Sequence, residues 1–256
     1  MKLTVIGQWG AYPEKNEATS CYLLEHDGFK LLIDCGSGAL SQLQNFCSLA
    51  ELNAVIISHY HHDHWADIGP LQYSRLVDRQ LKNTDKPLAI YGHPYEQAEF
   101  QKLAKPPHVL SFIYNESDYS SIGPFRITFL ETDHPAKCFA MRFEIAGKVI
   151  VYTADSSYKP DFSIFAKDAD ILISETSFYA DQDAKQYGHM TSLEAATIAK
   201  QANVQTLILT HLPHFGDHQQ LIKEAKSIFA GEVALARKGL TYELSVQNSQ
   251  GAWCMK

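Results

Sequence analysis

The chain has 256 residues, of which 22 are Lys or Arg and 29 are Asp or Glu, so its formal net charge at pH 7 is −7. A hydrophobic content of 45% excludes a disordered chain. The acidic balance argues against a nucleic-acid binder that relies on a basic surface. The five cysteines form no C-x-x-C pair, which favours reduced thiols over a disulfide framework or a cysteine zinc site.

The N-terminal residues lead directly into an apolar run that ends at Gly7, without the basic and long apolar segments of a signal peptide. No run of about 18 apolar residues suggests a membrane-spanning helix. No linker rich in Pro, Gly or Ser divides the sequence. We therefore predict a cytoplasmic chain folded as one domain over residues 1–256.

Apolar runs and turn signals predict the elements in chain order. A strand at 3–7 is followed by a hairpin, because Asp27-Gly28 separates two apolar runs. Later strands are predicted at 54–57, 88–91, 125–130, 148–152, 170–173 and 206–209, and helices at about 39–49, 67–80, 95–103, 192–202 and 218–229. The order predicts a mixed α/β (α+β) architecture with helices covering sheets, and propensity alone does not distinguish one sheet from a sandwich.

Four of these apolar runs lead to a histidine or an aspartate. The residues reached are His59, His134, Asp155 and His211. Because α/β proteins commonly build their sites at the carboxyl ends of strands, four such endings indicate one constellation.

The densest part of this constellation is the segment His-Tyr-His-His-Asp-His at 59–64. Neutral imidazole and carboxylate are preferred ligands of zinc and similar divalent metals. A turn between a strand and a helix lets alternate residues point in different directions. His59 and His61 could then face one metal, while Asp63 and His64 face a second.

The remaining strand-end residues complete this arrangement. His134 and His211 would each add a ligand, and Asp155 would bridge the two metals. Two metals about 3.5–4 Å apart can share a hydroxide that acts as a nucleophile at neutral pH.

Residues 58–64 match the H-x-H-x-D-H signature of the metallo-β-lactamase superfamily, and the sequence resembles that family over nearly its whole length. The resemblance implies a four-layer αββα sandwich with a dinuclear site at one edge. It implies two Zn²⁺ per chain, although Mn²⁺ or iron also fits such ligands. It assigns the ligands as His59, His61 and His134 for one metal, Asp63, His64 and His211 for the other, and Asp155 as the bridge.

Three further segments look like the ribonuclease Z-like phosphodiesterase branch: Ile6-Gly7-Gln8-Trp9-Gly10, Gly188-His189-Met190-Thr191 and Leu209-Thr210-His211-Leu212-Pro213. That branch contains tRNA 3′-processing endonucleases and smaller cyclic-nucleotide phosphodiesterases. The resemblance implies that His189 assists phosphate cleavage with support from Glu175. We predict Asp63, His189 and Glu175 as the catalytic residues.

The residues around His189 agree with this role. Thr191 and Glu194 stand at capping-box spacing before an apolar-periodic helix. His189 therefore precedes a helix N-terminus, where free N–H groups and the helix dipole favour phosphate. An imidazolium there could protonate the leaving oxygen, and Glu175, at the end of a predicted strand, could orient it.

Two other histidines near the motifs receive weaker predictions. His62 is interpreted as a neighbour of the ligands. His214, three residues after His211, is expected to be exposed to solvent rather than to contact substrate.

One departure from the branch favours a small phosphodiester over tRNA. Transfer-RNA-processing members carry a long, Gly-rich and basic arm between the third histidine ligand and the bridging aspartate. Only 20 residues separate His134 from Asp155 here, and they predict two strands joined at Ala146-Gly147. Cyclic nucleotides are therefore the favoured substrate class, without a membrane partner, and the resemblance allows a homodimer.

Several alternatives remain at this point. The same residues could serve a tRNA 3′-end endonuclease, or a hydrolase of esters, lactones or thioesters. A diiron redox protein would usually carry a carboxylate within the H-x-H-x-D-H set and need a flavin partner. A non-catalytic metal-binding protein would leave His189 and Glu175 unexplained.

Overall fold

The computed structural model describes residues 1–245, which form two seven-stranded sheets that pack face to face. The first sheet contains, in spatial order, β14 (Thr241–Glu243), β1 (Lys2–Gly7), β2 (Cys21–His26), β3 (Phe29–Ile33), β4 (Ala54–Ile56), β5 (Leu88–Gly92) and β6 (Val109–Ile113). The second contains β13 (Glu232–Leu235), β12 (Thr206–Thr210), β11 (Ile171–Glu175), β10 (Lys148–Tyr152), β9 (Phe139–Ile145), β8 (Phe125–Glu131) and β7 (Tyr119–Ile122).

Each sheet is antiparallel in one half and parallel in the other. In the first sheet β14, β1, β2 and β3 pair antiparallel, while β3 to β6 pair parallel. In the second sheet β7 to β10 pair antiparallel, while β10 to β13 pair parallel. Because β8 and β10 are both antiparallel to β9, the carboxyl ends of β8, β10 and β12 lie at the same edge of the sheet.

Helices cover both outer faces of the two sheets. They are α1 (Ala39–Leu43), α2 (His62–Trp65), α3 (Ile68–Gln80), α4 (Gln97–Lys102), α5 (Asp161–Phe165), α6 (Ser192–Gln201) and α7 (His218–Ile228). Two short 3₁₀ helices span Leu49–Glu51 and Lys185–Tyr187.

Alternating side chains divide the core into three apolar layers. In β3, Leu31 and Ile33 point between the sheets, whereas Leu32 packs under α1 and α3. In β11, Ile171 and Ile173 point between the sheets, whereas Leu172 packs under α5, α6 and α7. A two-residue period of this kind is expected when a strand is covered on both faces. The predicted four-layer αββα sandwich of class α/β is confirmed.

The predicted hairpin is also confirmed, with Asp27 and Gly28 joining β2 to β3. Their φ angles of 45° and 79° are both positive, as a tight turn between antiparallel strands requires. The helix predicted at about 39–49 is shorter than expected. It ends at Leu43, and Ser48 and Glu51 form a capping box that starts a separate 3₁₀ helix.

Within residues 1–245, no helix is long and apolar enough to cross a membrane. Among the described residues, cysteines 21, 35, 47 and 138 are buried and are not joined in disulfides. Cys254 lies outside the described residues.

Candidate metal centre

The segment 59–64 leaves the end of β4 and turns into α2, which separates its side chains into two directions. His61 is the N-cap of α2 and keeps an extended backbone, with φ −66° and ψ 141°. The helix then begins at His62, so that Asp63 and His64 lie in its first turn. The change from extended to helical backbone therefore places the latter two side chains in a second group of potential ligands, next to the group that contains His59 and His61.

The first group of potential ligands contains His59, His61, His134 and Asp155, whose donor atoms lie within 4.8 Å of one another. Nε2 of His134 is 3.0 Å from Nδ1 of His61. Oδ2 of Asp155 is 3.8 Å from Nε2 of His59 and 3.9 Å from Nε2 of His134. Ligands about 2.1 Å from a tetrahedral metal stand about 3.4 Å apart, so this spacing suits one ion.

The second group contains Asp63, His64, Asp155 and His211, again within 4.8 Å of one another. Oδ2 of Asp63 is 3.1 Å from Nε2 of His211 and 3.7 Å from Nε2 of His64. The Asp155 carboxylate belongs to both groups, with Oδ1 3.3 Å from His64 Nε2 and Oδ2 3.3 Å from His211 Nε2. The structure thus brings together all seven predicted ligands in the predicted division, and their role as ligands stays a prediction.

Unpartnered polar atoms at the centre test whether a metal fits this site. Nε2 of His59, Nε2 of His64 and Oδ1 of Asp155 are buried and have no hydrogen-bond partner within residues 1–245. A buried polar atom without a partner costs about 1–3 kcal/mol. Three such atoms in one cluster of imidazoles and carboxylates fit divalent cations, which accept lone pairs from all of them.

The charge balance at the centre leads to the same conclusion. Burial lowers the pKa of His64, but the carboxylates of Asp155, Asp63 and Asp34 outweigh burial and raise that pKa well above its usual value. Burial and the neighbouring His64 lower the pKa of His59, which leaves that imidazole neutral. The three carboxylates thus require positive charge beside them, and a metal ion can supply it in place of a proton.

Hydrogen bonds orient three of the histidines toward the centre. Nδ1–H of His134 donates to the Gly188 carbonyl over 3.0 Å. Nδ1–H of His211 donates to Ser177 Oγ over 2.7 Å. His64 donates in the same way to Asp34. In each case the bond fixes the proton on Nδ1 and leaves the lone pair of Nε2 for a metal.

Beside the two groups, His189 forms an ion pair with Glu175 at the end of β11. Nδ1 of His189 donates to Oε1 of Glu175 over 2.9 Å, and the Glu175 side chain is fully buried. Burial lowers the pKa of His189, but the Glu175 carboxylate outweighs burial and raises it to about 9. The His189 ring centroid is 5.3 Å from that of His134 and 5.2 Å from that of His211. A positively charged imidazole therefore adjoins both groups.

The predicted capping box next to His189 is present. Thr191 Oγ1 accepts from the backbone N–H of Glu194, and the Glu194 carboxylate accepts from the backbone N–H of Thr191. His189 thus lies just before the N-terminus of α6, as the sequence predicts.

His62 and His214 differ in their surroundings. His62 is exposed, stacks on Trp65, and is outside the groups of potential ligands found within the described residues. His214 was expected to be exposed, and this is wrong, since its side chain is only 14% exposed. It lies between Trp9 and Tyr12, two residues about two hundred positions earlier in the chain.

The sequence did not predict the residues that hydrogen-bond to the predicted ligands on the side away from the centre. Asp34 follows β3 directly and accepts a hydrogen bond from His64, and Ser177 connects His211 to Glu175. Asp34 could have been predicted, because it is a fifth carboxylate or imidazole that directly follows an apolar strand. Ser177 could not, since a single serine in a loop is too common to indicate a role.

A cavity of about 390 Å³ opens beside the second group. His189 and His211 line it together with the aromatic side chains of Tyr12, Phe178 and Tyr187, among others. None of the described residues that line it is lysine or arginine.

The two facing sheets, with histidines and aspartates gathered at one edge, define a metallo-hydrolase of the metallo-β-lactamase fold. The family described as "Beta-lactamase superfamily domain" matches residues 30–212, and the chain belongs to this family. The fold and the enzyme class predicted from the sequence, a metal-dependent hydrolase, are thereby confirmed.

Three comparisons show how near the relatives are. The chain is 51% identical over 243 residues to "Probable metallo-hydrolase YhfI" of Bacillus subtilis, covering 95% of this chain and 100% of that protein. The crystal structure of the Bacillus subtilis YhfI superposes with a TM-score of 0.93 at 50% identity, covering 94% of this chain and 98% of that one. Ribonuclease Z of Methanopyrus kandleri is 29% identical over 273 residues, covering 92% of this chain and 95% of the relative.

Proposed function

We propose that this protein is a phosphodiesterase that uses two divalent metal ions, most simply Zn²⁺, and acts on small phosphodiesters such as cyclic nucleotides. The observation that carries the proposal is the ion pair of His189 with the buried Glu175 carboxylate, 2.9 Å apart, beside both groups of potential ligands. A phosphate ester needs a proton donor for its leaving oxygen, and an imidazolium held by a buried carboxylate suits this role.

The chain's own residues divide the work in this mechanism. The first and second groups described above would hold the two metals, which when bound would acidify a water molecule and neutralise phosphate charge. His189 would donate the Nε2 proton to the leaving oxygen, while its Nδ1–H stays bonded to Glu175. Asp63 would contribute through its carboxylate at the second metal position, where Oδ2 also accepts from the backbone N–H of Ala11 over 2.8 Å.

A tRNA 3′-processing endonuclease is the second candidate function, and the resemblance to ribonuclease Z proteins favours it. Two observations support the smaller substrate instead. Between His134 and Asp155 the structure has only a short loop and the β9–β10 hairpin, which turns at Ala146 and Gly147. None of the described residues that line the cavity beside the site is one of the lysines or arginines with which proteins usually bind a polynucleotide backbone.

Hydrolysis of an ester, lactone or thioester is a third candidate, because the same metals would activate water toward an acyl carbon. This reaction does not need the proton donor that a poor phosphate leaving group requires. The two chemistries therefore differ in how strongly they depend on His189.

The test is to load the purified protein with Zn²⁺ or Mn²⁺ and to measure turnover of cAMP, bis(p-nitrophenyl) phosphate and precursor tRNA. We expect His189→Ala to lower kcat on cAMP, whose leaving oxygen is a poor leaving group, by about 10²–10⁴-fold with metal content unchanged, and to have a much smaller effect on bis(p-nitrophenyl) phosphate. His62→Ala is the matched control and should retain activity. If no phosphodiester is hydrolysed in a metal-dependent way, the proposal is wrong. Faster cleavage of precursor tRNA than of cAMP would favour the endonuclease.

A further inference from the structure

A stack of three aromatic rings lies at the cavity beside the candidate metal centre, and two of its members, Tyr12 and His214, line that cavity. The His214 ring is parallel to that of Tyr12, with centroids 3.7 Å apart and an interplanar angle of 3°. On its other side, His214 stacks on Trp9 at 4.8 Å and 16°. The Tyr12 side chain ends the stack and is 57% exposed, so the stack presents an aromatic ring to the cavity.

Hydrogen bonds hold the middle ring of this stack in place. Nε2–H of His214 donates to the Gly10 carbonyl over 3.0 Å, and Nδ1 lies 3.3 Å from the Glu14 carboxylate. Both ring nitrogens are therefore engaged, and His214 supports Tyr12 rather than serving as a proton donor for a substrate.

The segment that carries Tyr12 is bound directly to the candidate metal centre. The preceding residue, Ala11, donates its backbone N–H to Oδ2 of Asp63 over 2.8 Å. Gly10 packs so closely on His211 that an added Cβ would lie 2.7 Å from the imidazole ring. The position of Tyr12 relative to the predicted second metal is thus set by two short contacts within the same loop.

A second aromatic pair lines the same cavity. Phe178 and Tyr187 stack with centroids 5.5 Å apart and an interplanar angle of 7°. Phe178 also lies 6.2 Å, between centroids, from His189. The cavity is therefore lined by aromatic rings from two separate stacks and by imidazoles of the candidate metal centre, and its volume is about 390 Å³.

We infer that this cavity binds the nucleobase of a nucleotide substrate, with the base stacked on Tyr12. A flat π-surface next to a phosphate-handling site matches a group that is planar, weakly polar on its faces and attached to a phosphate through a sugar. Aromatic stacking accepts any base, and its loss weakens binding by about 5-fold to 100-fold per base. This inference rests on the proposed function, and it assigns specificity to Tyr12, with His214 and Trp9 as positioning residues.

The inference is tested by equilibrium binding to the metal-loaded protein, measured by isothermal titration calorimetry with AMP and with ribose 5-phosphate. The two probes share sugar and phosphate, so their difference isolates the base. We expect AMP to bind at least about 10-fold more tightly, Tyr12→Ala to remove most of this difference, and Tyr12→Phe to retain it. Tyr73→Ala, which alters an exposed tyrosine on α3, is the matched control.

Kinetics with cAMP add an independent readout, in which Tyr12→Ala should raise KM with little change in kcat. Equal binding of AMP and ribose 5-phosphate, or equal weakening of both by Tyr12→Ala, would overturn the inference. Tyr187→Ala repeats the test on the second aromatic pair and should also reduce the preference for AMP. If the protein hydrolyses no phosphodiester but binds AMP more tightly than ribose 5-phosphate, and Tyr12→Ala removes this difference, the proposed function is refuted while the inferred nucleobase site stands.

Discussion

Nδ1 of His64 donates to Oδ2 of Asp34 over 2.7 Å, and both side chains are completely buried. The same carboxylate accepts hydrogen bonds from the backbone N–H and the hydroxyl of Ser58, each over 2.8 Å, and from the Tyr152 hydroxyl over 3.0 Å. Asp34 therefore fixes the orientation and tautomer of one predicted ligand from a position behind it.

Replacing Asp34 by Asn should weaken metal binding without changing any predicted ligand. The amide side chain has one oxygen acceptor instead of two, and its NH₂ group would face donors whose hydrogen bonds the carboxylate now accepts. His64 therefore loses its hydrogen-bond acceptor. We expect metal affinity to fall by about 10-fold to 100-fold, as is typical for partners behind metal ligands. Titration of the metal-free protein with Zn²⁺ against a chromophoric chelator measures this change.

Asp170→Asn is the control for this experiment. Asp170 is also a buried carboxylate, and it accepts from Lys148 and from the backbone N–H of Val149, away from the centre. Asp170→Asn should lower the free energy of unfolding but leave the affinity for Zn²⁺ unchanged. Unchanged affinity in Asp34→Asn would show that His64 is held by other contacts.

Glu175 should act on catalysis through His189. Glu175→Gln removes the negative charge that keeps the imidazole protonated, and we expect kcat on a phosphodiester to fall by about 10-fold to 100-fold at saturating metal. The double variant of Glu175→Gln and His189→Ala should be no slower than His189→Ala alone, because the two residues act as one unit. Multiplicative losses in the double variant would mean that Glu175 works by a separate route.

Gly10 should be intolerant of even one added carbon. The Cβ of alanine would lie 2.7 Å from Cε1 and Nδ1 of His211, so either the imidazole or the loop must move. We expect Gly10→Ala to lose metal from one of the two positions and most of the activity, as measured by metal content per chain and turnover.

Gly69→Ala provides the comparison for this variant. Gly69 lies in α3, where an added Cβ meets nothing within 4 Å, so alanine should be neutral or stabilise the helix by up to about 1 kcal/mol. Full metal content in Gly10→Ala would indicate that the loop shifts without disturbing His211.

Metal removal should lower thermal stability. The ligands come from both sheets, and buried atoms of His59, His64 and Asp155 have no other partner within the described residues. Metal at about 100 times its Kd adds about 2.7 kcal/mol, which corresponds to about 5–10 °C in Tm for a chain of this size. Differential scanning fluorimetry before and after dialysis against EDTA, with Zn²⁺ added back, checks the effect. An unchanged Tm would argue against tight metal binding.

The meeting of the histidines and aspartates of both groups at one edge could be predicted because the segments that carry them follow apolar runs long enough to be recognised as strands. His59, Asp155 and His211 come within three residues of the ends of β4, β10 and β12, and parallel strands bring such ends to one edge. The local sequence was therefore sufficient to predict most of the side chains that meet at this edge.

The aromatic stack could not be predicted in this way. Trp9 and Tyr12 meet His214 across the chain, in contacts that only the packing of the loop after β1 against the loop after β12 creates. The short edge strands β13 and β14 escaped prediction for a similar reason. They have four and three residues, and their pairing with β12 and β1 rather than their own propensity stabilises them.

The distribution of the two ligand groups along the chain has a consequence for biosynthesis. The first group is complete in sequence once Asp155 has been synthesised, whereas the second also needs His211, which follows β12 near the end of the second sheet. A ribosome-bound chain can therefore gather only one set of potential ligands until β12 has emerged. The second group, whose His211 lines the same cavity as Tyr12, is completed last.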